Sequence, residues 1–225
     1  MSTFRWRQGE HLTTIGPTGS GKTVLNRQLL RLRNTVVVLG VKQRDPELYE
    51  PFMKEGYELR RTFDADWAFD EDEPSLVLYV PQTSKPTAGE RQKELGNRFR
   101  QALSDIYREK APWAIYSDDV NYLAKDLGLD EDLRELWYLG RSQGVTMVAS
   151  AQEPVNVPIA AYGSATHLFI FKNPDLYRVK RLAMMAGSDR DLVRETIIRL
   201  PKHEFLYINK DTGHMVRSKV ARNGA

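Results

Sequence analysis

The stretch Gly16-Pro17-Thr18-Gly19-Ser20-Gly21-Lys22-Thr23 matches the phosphate-binding pattern GxxxxGK[ST] at every defined position. Its flanks decide the fold. Upstream, His11 to Ile15 reads as a short strand. Downstream, Thr23 to Arg33 reads as a helix with Val24, Leu25, Leu29, Leu30 and Leu32 on or near one apolar side. A strand entering the loop and a helix leaving it is the setting the pattern requires. The glycines let the backbone curl until its N–H groups face phosphate oxygens, and the helix N-terminus adds partial positive charge. Residues Gly16 to Thr23 are thus expected to cradle ATP, Lys22 reaching the β- and γ-phosphates and the Thr23 hydroxyl ligating Mg²⁺.

Outward from this unit the chain alternates strand-like and helix-like segments, which predicts a largely parallel sheet flanked by helices. Strands are expected at Thr35 to Val41, Ser75 to Val80, Trp113 to Tyr116, Val145 to Ala151 and His167 to Phe171. Helices are expected at Asp45 to Tyr57, Gly89 to Lys110, Asp130 to Gln143, Asp175 to Ala186 and Asp189 to Arg199, with a short helix and loop from Asp64 to Pro74. Glu204 to Asn209 and His214 to Val220, joined around Asp211-Thr212-Gly213, predict a terminal β-hairpin. Ala221 to Ala225 reads as a frayed tail.

The 225 residues suit one α/β domain, spanning 1–225, and are too few for two large ones. No apolar run approaches a membrane span, and the polar N-terminus does not read as a secretory signal. The absence of cysteine excludes disulfides and thiolate metal sites and fits a cytoplasmic protein. A net charge of +3 is too mild to establish nucleic-acid binding by itself. His11, His167, His203 and His214 show no metal-like spacing.

Hydrolysis needs more than a phosphate loop: a Mg²⁺-supporting carboxylate and a group that positions water. The apolar strand Trp113-Ala114-Ile115-Tyr116 leads to Asp118 and Asp119, and a carboxylate at a strand's carboxyl end faces the same crevice as the phosphate loop. Asp118 is assigned to Mg²⁺ through water and Asp119 to polarising the attacking water; alternatively either caps the helical turn near Val120. Gln152, ending the next strand, is placed to sense the γ-phosphate or orient water, or is a satisfied strand-end amide. Arg141, in Gly140-Arg141-Ser142-Gln143-Gly144, is a candidate arginine finger supplied in trans, or an ordinary Arg at a helix C-terminus.

The order of these motifs resembles the FtsK–HerA superfamily of ring-forming DNA-pumping ATPases. The resemblance rests on GPTGSGKT, on the strand ending in Asp118-Asp119, and on GRSQGVTMVASAQEPVNVP from Gly140 to Pro158. It covers roughly Leu12 to Phe171. It implies an α/β P-loop NTPase fold of the ASCE type, ATP and Mg²⁺ as cofactors, a homo-oligomeric ring (pentamer or hexamer), and double-stranded DNA as cargo. One position departs: Asp119 stands where the family usually has Glu, one methylene longer. Without the appended domains of cellular translocases, the length is similar to that of genome-packaging ATPases of membrane-containing icosahedral viruses. That resemblance implies a host-cytoplasmic protein, the virion vertex as a further location, and capsid or membrane vertex proteins as partners.

Basic groups on loops facing a ring's pore would contact DNA phosphates. The first candidate is Gln82 to Arg100, with Lys85, Arg91 and Lys93 foremost and Arg98 and Arg100 behind; a solvated helix face is the alternative. Arg178, Lys180 and Arg181 form a second cluster. Phe4 and Trp6 either stack on adenine or cover a sheet edge. Three other readings stay open: a conjugation or plasmid-transfer ATPase, a P-loop small-molecule kinase using Arg60-Arg61 and Arg178 to Arg181 as a lid, and a non-hydrolysing nucleotide-gated assembly factor.

Overall fold

The computed structural model describes residues 4–69, 74–154, 157–187 and 189–221. Among these residues nine strands form one sheet: β1 (His11–Ile15), β2 (Thr35–Leu39), β3 (Glu58–Arg60), β4 (Ser75–Tyr79), β5 (Ala114–Ser117), β6 (Thr146–Ala151), β7 (Ala165–Phe171), β8 (Glu204–Asn209) and β9 (Met215–Lys219). Their spatial order is β3-β4-β2-β5-β6-β1-β7-β8-β9. Every pairing from β3 to β7 is parallel, and β8 and β9 join antiparallel as the expected terminal hairpin. The α/β class with a mostly parallel sheet is as the sequence predicts.

Among the described residues seven α-helices pack on this sheet: α1 (Lys22–Leu30), α2 (Pro46–Lys54), α3 (Ala88–Glu109), α4 (Asp130–Leu139), α5 (Ile159–Gly163), α6 (Leu176–Met185) and α7 (Arg190–Arg199). Both faces of the sheet are covered, because strand side chains alternate. Val36 and Val38 point to one face, where Leu25, Leu29, Tyr49 and Phe52 of α1 and α2 pack. Val37 points to the other, into the core built by α3 to α7 through Phe99, Ile106, Trp137, Leu182 and Ile197. Trp113, fully buried, satisfies its indole by donating to the Ala65 carbonyl at 3.0 Å.

Local chemistry explains the helix starts. Thr87 and Glu90 form a reciprocal capping box on α3. Asp45, Asp175 and Asp189 cap α2, α6 and α7 by accepting backbone N–H groups. The sequence places the helix before β6 as far as Gln143; in the structure α4 ends at Leu139 and Gly140–Gln143 tightens into a 3₁₀ turn. The segment from Asp64 holds a 3₁₀ turn at Ala65–Phe69, and its residues 70–73 lie outside the described residues. Of the tail expected at 221–225, only Ala221 is described. Among the described residues no helix is long and apolar enough to cross a membrane.

Candidate nucleotide site

Sheet order converts sequence spacing into a site. β6 lies between β1 and β5, with Ile15 beside Ala151 and Ser117 beside Ala149. The phosphate loop, Gln152 and Asp118-Asp119 therefore leave three adjacent strands at the same carboxyl edge. The Gly16 N–H donates to the Ala151 carbonyl at 3.1 Å, which pins the start of the loop to β6. Gly21 caps α1 with φ of 107°, a left-handed conformation that a side chain would strain.

Within this edge the side chains meet. Thr23 Oγ1 donates to Asp118 Oδ1 at 2.9 Å, and Tyr116 Oη donates to the same oxygen at 2.6 Å. Burial of Tyr116 and the neighbouring Asp118 charge push its phenol well above its ordinary value, so it remains a neutral donor. Lys22 is buried, its Nζ 3.0 Å from the Pro17 carbonyl. Burial lowers its pKa, and the charges of Asp118 and Asp119 partly oppose that. Thr18 Oγ1 donates to Gln152 Oε1 at 2.8 Å, so the Gln152 amide N–H₂ stays a donor group beside the loop.

Asp119 behaves differently from its neighbour. Its Oδ1 accepts the backbone N–H groups of Asn121 and Tyr122 at 3.1 and 3.3 Å, capping the turn after β5. Of the two readings left open at this residue, capping is the one with contacts in the structure. Asp118 is the carboxylate joined to the phosphate loop.

Mg²⁺ fits this donor set. It takes hard oxygen ligands, usually one or two from protein and the rest from phosphate and water. Thr23 and Asp118 supply a hydroxyl and a carboxylate together. No cluster of three or more His, Asp or Glu side chains suited to a metal occurs among the described residues, so a cation here would depend on the nucleotide for further ligands.

Arg141 lies at the other end of the sheet. Its backbone and Cγ crowd Gly9, two residues before β1, and β6 begins only after it. Six residues of β6 separate it from Gln152, a span of about 20 Å. It cannot reach the phosphate loop of its own chain, and its side chain is exposed.

The C-terminal hairpin contributes groups that sequence reasoning missed. The turn before β8 carries His203 in a left-handed conformation with φ of 65°, and its Nδ1 lies 3.1 Å from the Ser20 carbonyl. A carbonyl only accepts, so Nδ1 carries the hydrogen. The Val220 N–H donates to the His203 carbonyl at 3.0 Å, binding the end of β9 to this turn. Lys202, His203 and Lys219 thereby wall a cavity of about 1170 Å³ that opens onto Gly21, Lys22 and Thr23. The only sequence signal was the hairpin; nothing in its spacing pointed at the loop.

The other expected site residues divide. Phe4 packs edge-on against His167, Phe169 and Tyr207, and Trp6 lies under the Arg33 guanidinium at 4.0 Å. Both cover the sheet on the α1 side rather than facing the loop. Lys85 and Lys93 are exposed, while Arg91 donates to the Lys85 and Pro86 carbonyls at 3.0 and 2.7 Å. Of the arginines a kinase lid would need, Arg60 pairs with Glu58, and Arg178 with Glu153 and Asp175.

No protein-family profile matches the chain, and no curated protein matches it in sequence. Solved structures do. The genome packaging NTPase B204 from Sulfolobus turreted icosahedral virus 2, in complex with AMP, superposes with a TM-score of 0.66 at 11% identity, over 96% of this chain and 100% of that one. VirB4 of Thermoanaerobacter pseudethanolicus reaches a TM-score of 0.66 at 9% identity, over 95% of this chain and 90% of that one. The pCW3 conjugation coupling protein TcpA, with ATPγS, gives 0.56 at 13% identity, covering 94% of this chain and 60% of that one. The chain shares the fold of these three proteins. The structural likeness agrees with the fold that the sequence resemblance implies.

Proposed function

We propose that the chain is an ATP-hydrolysing motor that moves double-stranded DNA as a homo-oligomeric ring, and that its cargo is a viral genome delivered into a preformed capsid. The observation that carries the hydrolytic part is the bond from Thr23 to Asp118, which joins the phosphate loop to a strand-end carboxylate. With ATP bound, the loop amides and Lys22 would hold the phosphates, and Thr23 and Asp118 would hold Mg²⁺, whose charge would neutralise that on the phosphate oxygens. Gln152, tied to Thr18, offers its amide toward the γ-phosphate or attacking water. Arg141 would come from the adjacent subunit, since its own lies at the far edge of the sheet. B204 is described as a genome packaging NTPase that was solved with AMP, ATPγS and AMPPCP, and this supports the nucleotide and the cargo.

The test is ATP turnover with and without long double-stranded DNA, followed together with the oligomeric mass. DNA-stimulated turnover in a ring-sized assembly is expected. Unstimulated turnover by a monomer would overturn the proposal. A transfer ATPase of conjugation type is the second reading, because the conjugation coupling protein TcpA shares the fold as well.

A further inference from the structure

Beyond the nucleotide site, the same carboxyl edge holds a second recess, over β2, β3 and β4. Its volume is about 560 Å³, and its walls include Gln43, Arg44, Arg61, Gln82, Glu94 and Arg98. Three arginines face one carboxylate, and no large apolar side chain lines it. Such a lining offers no aromatic or apolar platform for a base or an apolar ligand. Guanidinium, amide and hydroxyl groups are the donors that bind phosphodiester oxygens without reading sequence.

The recess is built by elements locked together. The Gly40 N–H donates to the Tyr79 carbonyl at 2.8 Å, and a Cβ on Gly40 would lie 2.5 Å from Val80, so only glycine lets the two loops approach. Gln43 donates to the Pro81 carbonyl at 2.8 Å, and Arg61 to the Val80 carbonyl at 2.8 Å. The Val80 N–H returns to the Arg60 carbonyl at 2.9 Å. These bonds fix three strand ends in one wall. Arg98 pairs with Glu94 at 3.1 Å across one helical turn, whereas the Arg44 side chain makes no hydrogen bond or ion pair among the described residues and is exposed.

We infer that this recess, through Arg44, Arg61 and Arg98, grips the phosphate backbone of double-stranded DNA, displacing Arg91 from the contact that its sequence position suggested. The inference rests on the DNA-motor reading. It moves the contact from the start of α3 toward the loop after β2. Arg91 is held by two carbonyls of its own loop, while Arg44 is not held by anything described. The same loop also touches the ATP side. Tyr49 Oη donates to the Lys42 carbonyl at 2.6 Å, and the Lys42 ammonium, paired with Asp45 at 2.8 Å, feels the Asp118 charge as well. A grip at Arg44 and a change at Asp118 therefore act on one short segment.

The test is binding of fluorescently labelled double-stranded DNA across a salt titration, with ATPγS present, for wild type, Arg44→Gln, Arg98→Gln and Arg199→Gln. Arg199 provides an equal charge change at the exposed end of α7, over the other half of the sheet and outside both DNA-contact clusters. Arg44→Gln is expected to bind about fivefold more weakly, with the slope of log affinity against log salt reduced by about 1. Arg98→Gln should move in the same direction, and Arg199→Gln should match wild type. If wild type binds DNA and both recess variants bind with its affinity and slope, or if Arg199→Gln loses as much, the recess is overturned while the motor reading stands. If wild type does not bind DNA at all, the motor reading falls and the recess with it. Thermal midpoints close to that of wild type establish that each variant folds.

Discussion

The two edges of the sheet have opposite characters. At the carboxyl edge, Thr23 and Tyr116 bond to Asp118 Oδ1 and Thr18 bonds to Gln152, which leaves Asp118 Oδ2 and the Gln152 amide N–H₂ without a partner among the described residues. At the amino edge the chain is knitted shut. Gln8 donates to the Pro112 and Gly144 carbonyls, the Gly9 N–H to Thr146 Oγ1 at 2.7 Å, and the Met147 N–H to His11 Nδ1 at 3.0 Å. An edge tied by bonds between distant segments holds strand positions; an edge whose groups keep free polar atoms can respond to a ligand. Arg141 is the exception that makes the comparison useful, an exposed cation on the tied edge, out of reach of its own phosphate loop.

The sharpest way to break this contrast is at the loop. Lys22→Ala should abolish ATP binding or turnover, measured by nucleotide binding and phosphate release; wild-type hydrolysis would remove the carboxyl edge as the site. Arg141→Ala should come next, lowering turnover by about 10³-fold if it acts on the transferring phosphoryl group. Rings mixed with a Lys22→Ala subunit should recover activity, because one variant lends the finger and the other the loop. No recovery at any ratio would return Arg141 to a framework role. Gln152→Ala should be milder, about 10- to 100-fold on turnover with ATP affinity nearly kept, since it removes one positioning donor and not the phosphate cradle.

The amino edge makes its own, smaller prediction. Burial holds His11 down to about 4, with the nearby Arg141 charge adding to it, against a backbone bond that opposes. The folded value is below the unfolded one, so the unfolded chain binds more protons between them. Stability contributed by neutral His11 is therefore complete above about pH 6.5 and falls as pH drops toward 4. At pH 5 the loss is about 2 kcal/mol. Chemical denaturation across this range should show it, and His11→Asn should flatten it. An unchanged slope in the variant would mean that His11 is not the titrating group.

Much of the fold was legible because its signals are local. GPTGSGKT specifies a turn, a cradle and a helix start within eight residues. The β-branched run from Thr35 and the capping residues Thr87, Asp175 and Asp189 act within one turn of the chain. What escaped was short or weakly patterned. β3 has three exposed residues and no apolar alternation, and α5 is five residues long, too brief to display a helical period. The expected strand Trp113 to Tyr116 is displaced by one residue, to Ala114–Ser117, because pairing with β2 and β6 decides where a ladder starts.

The sequence by itself determined that a nucleotide phosphate loop exists and that acidic and amide groups end two later strands. Only the tertiary structure decided how they combine. Register set Asp118 against Thr23 and turned an Asp119 oxygen into a cap. Sheet order put Gln152 beside Thr18 and Arg141 beyond reach. The folding back of the C-terminal hairpin set His203 against Ser20, and pairing of β2, β3 and β4 gathered Arg44, Arg61 and Arg98. The physical reason is range. Backbone conformation answers to neighbours a few residues away, whereas a site is a coincidence of strand ends distant in the chain, settled by hydrogen-bond register and by burial on both faces of one sheet.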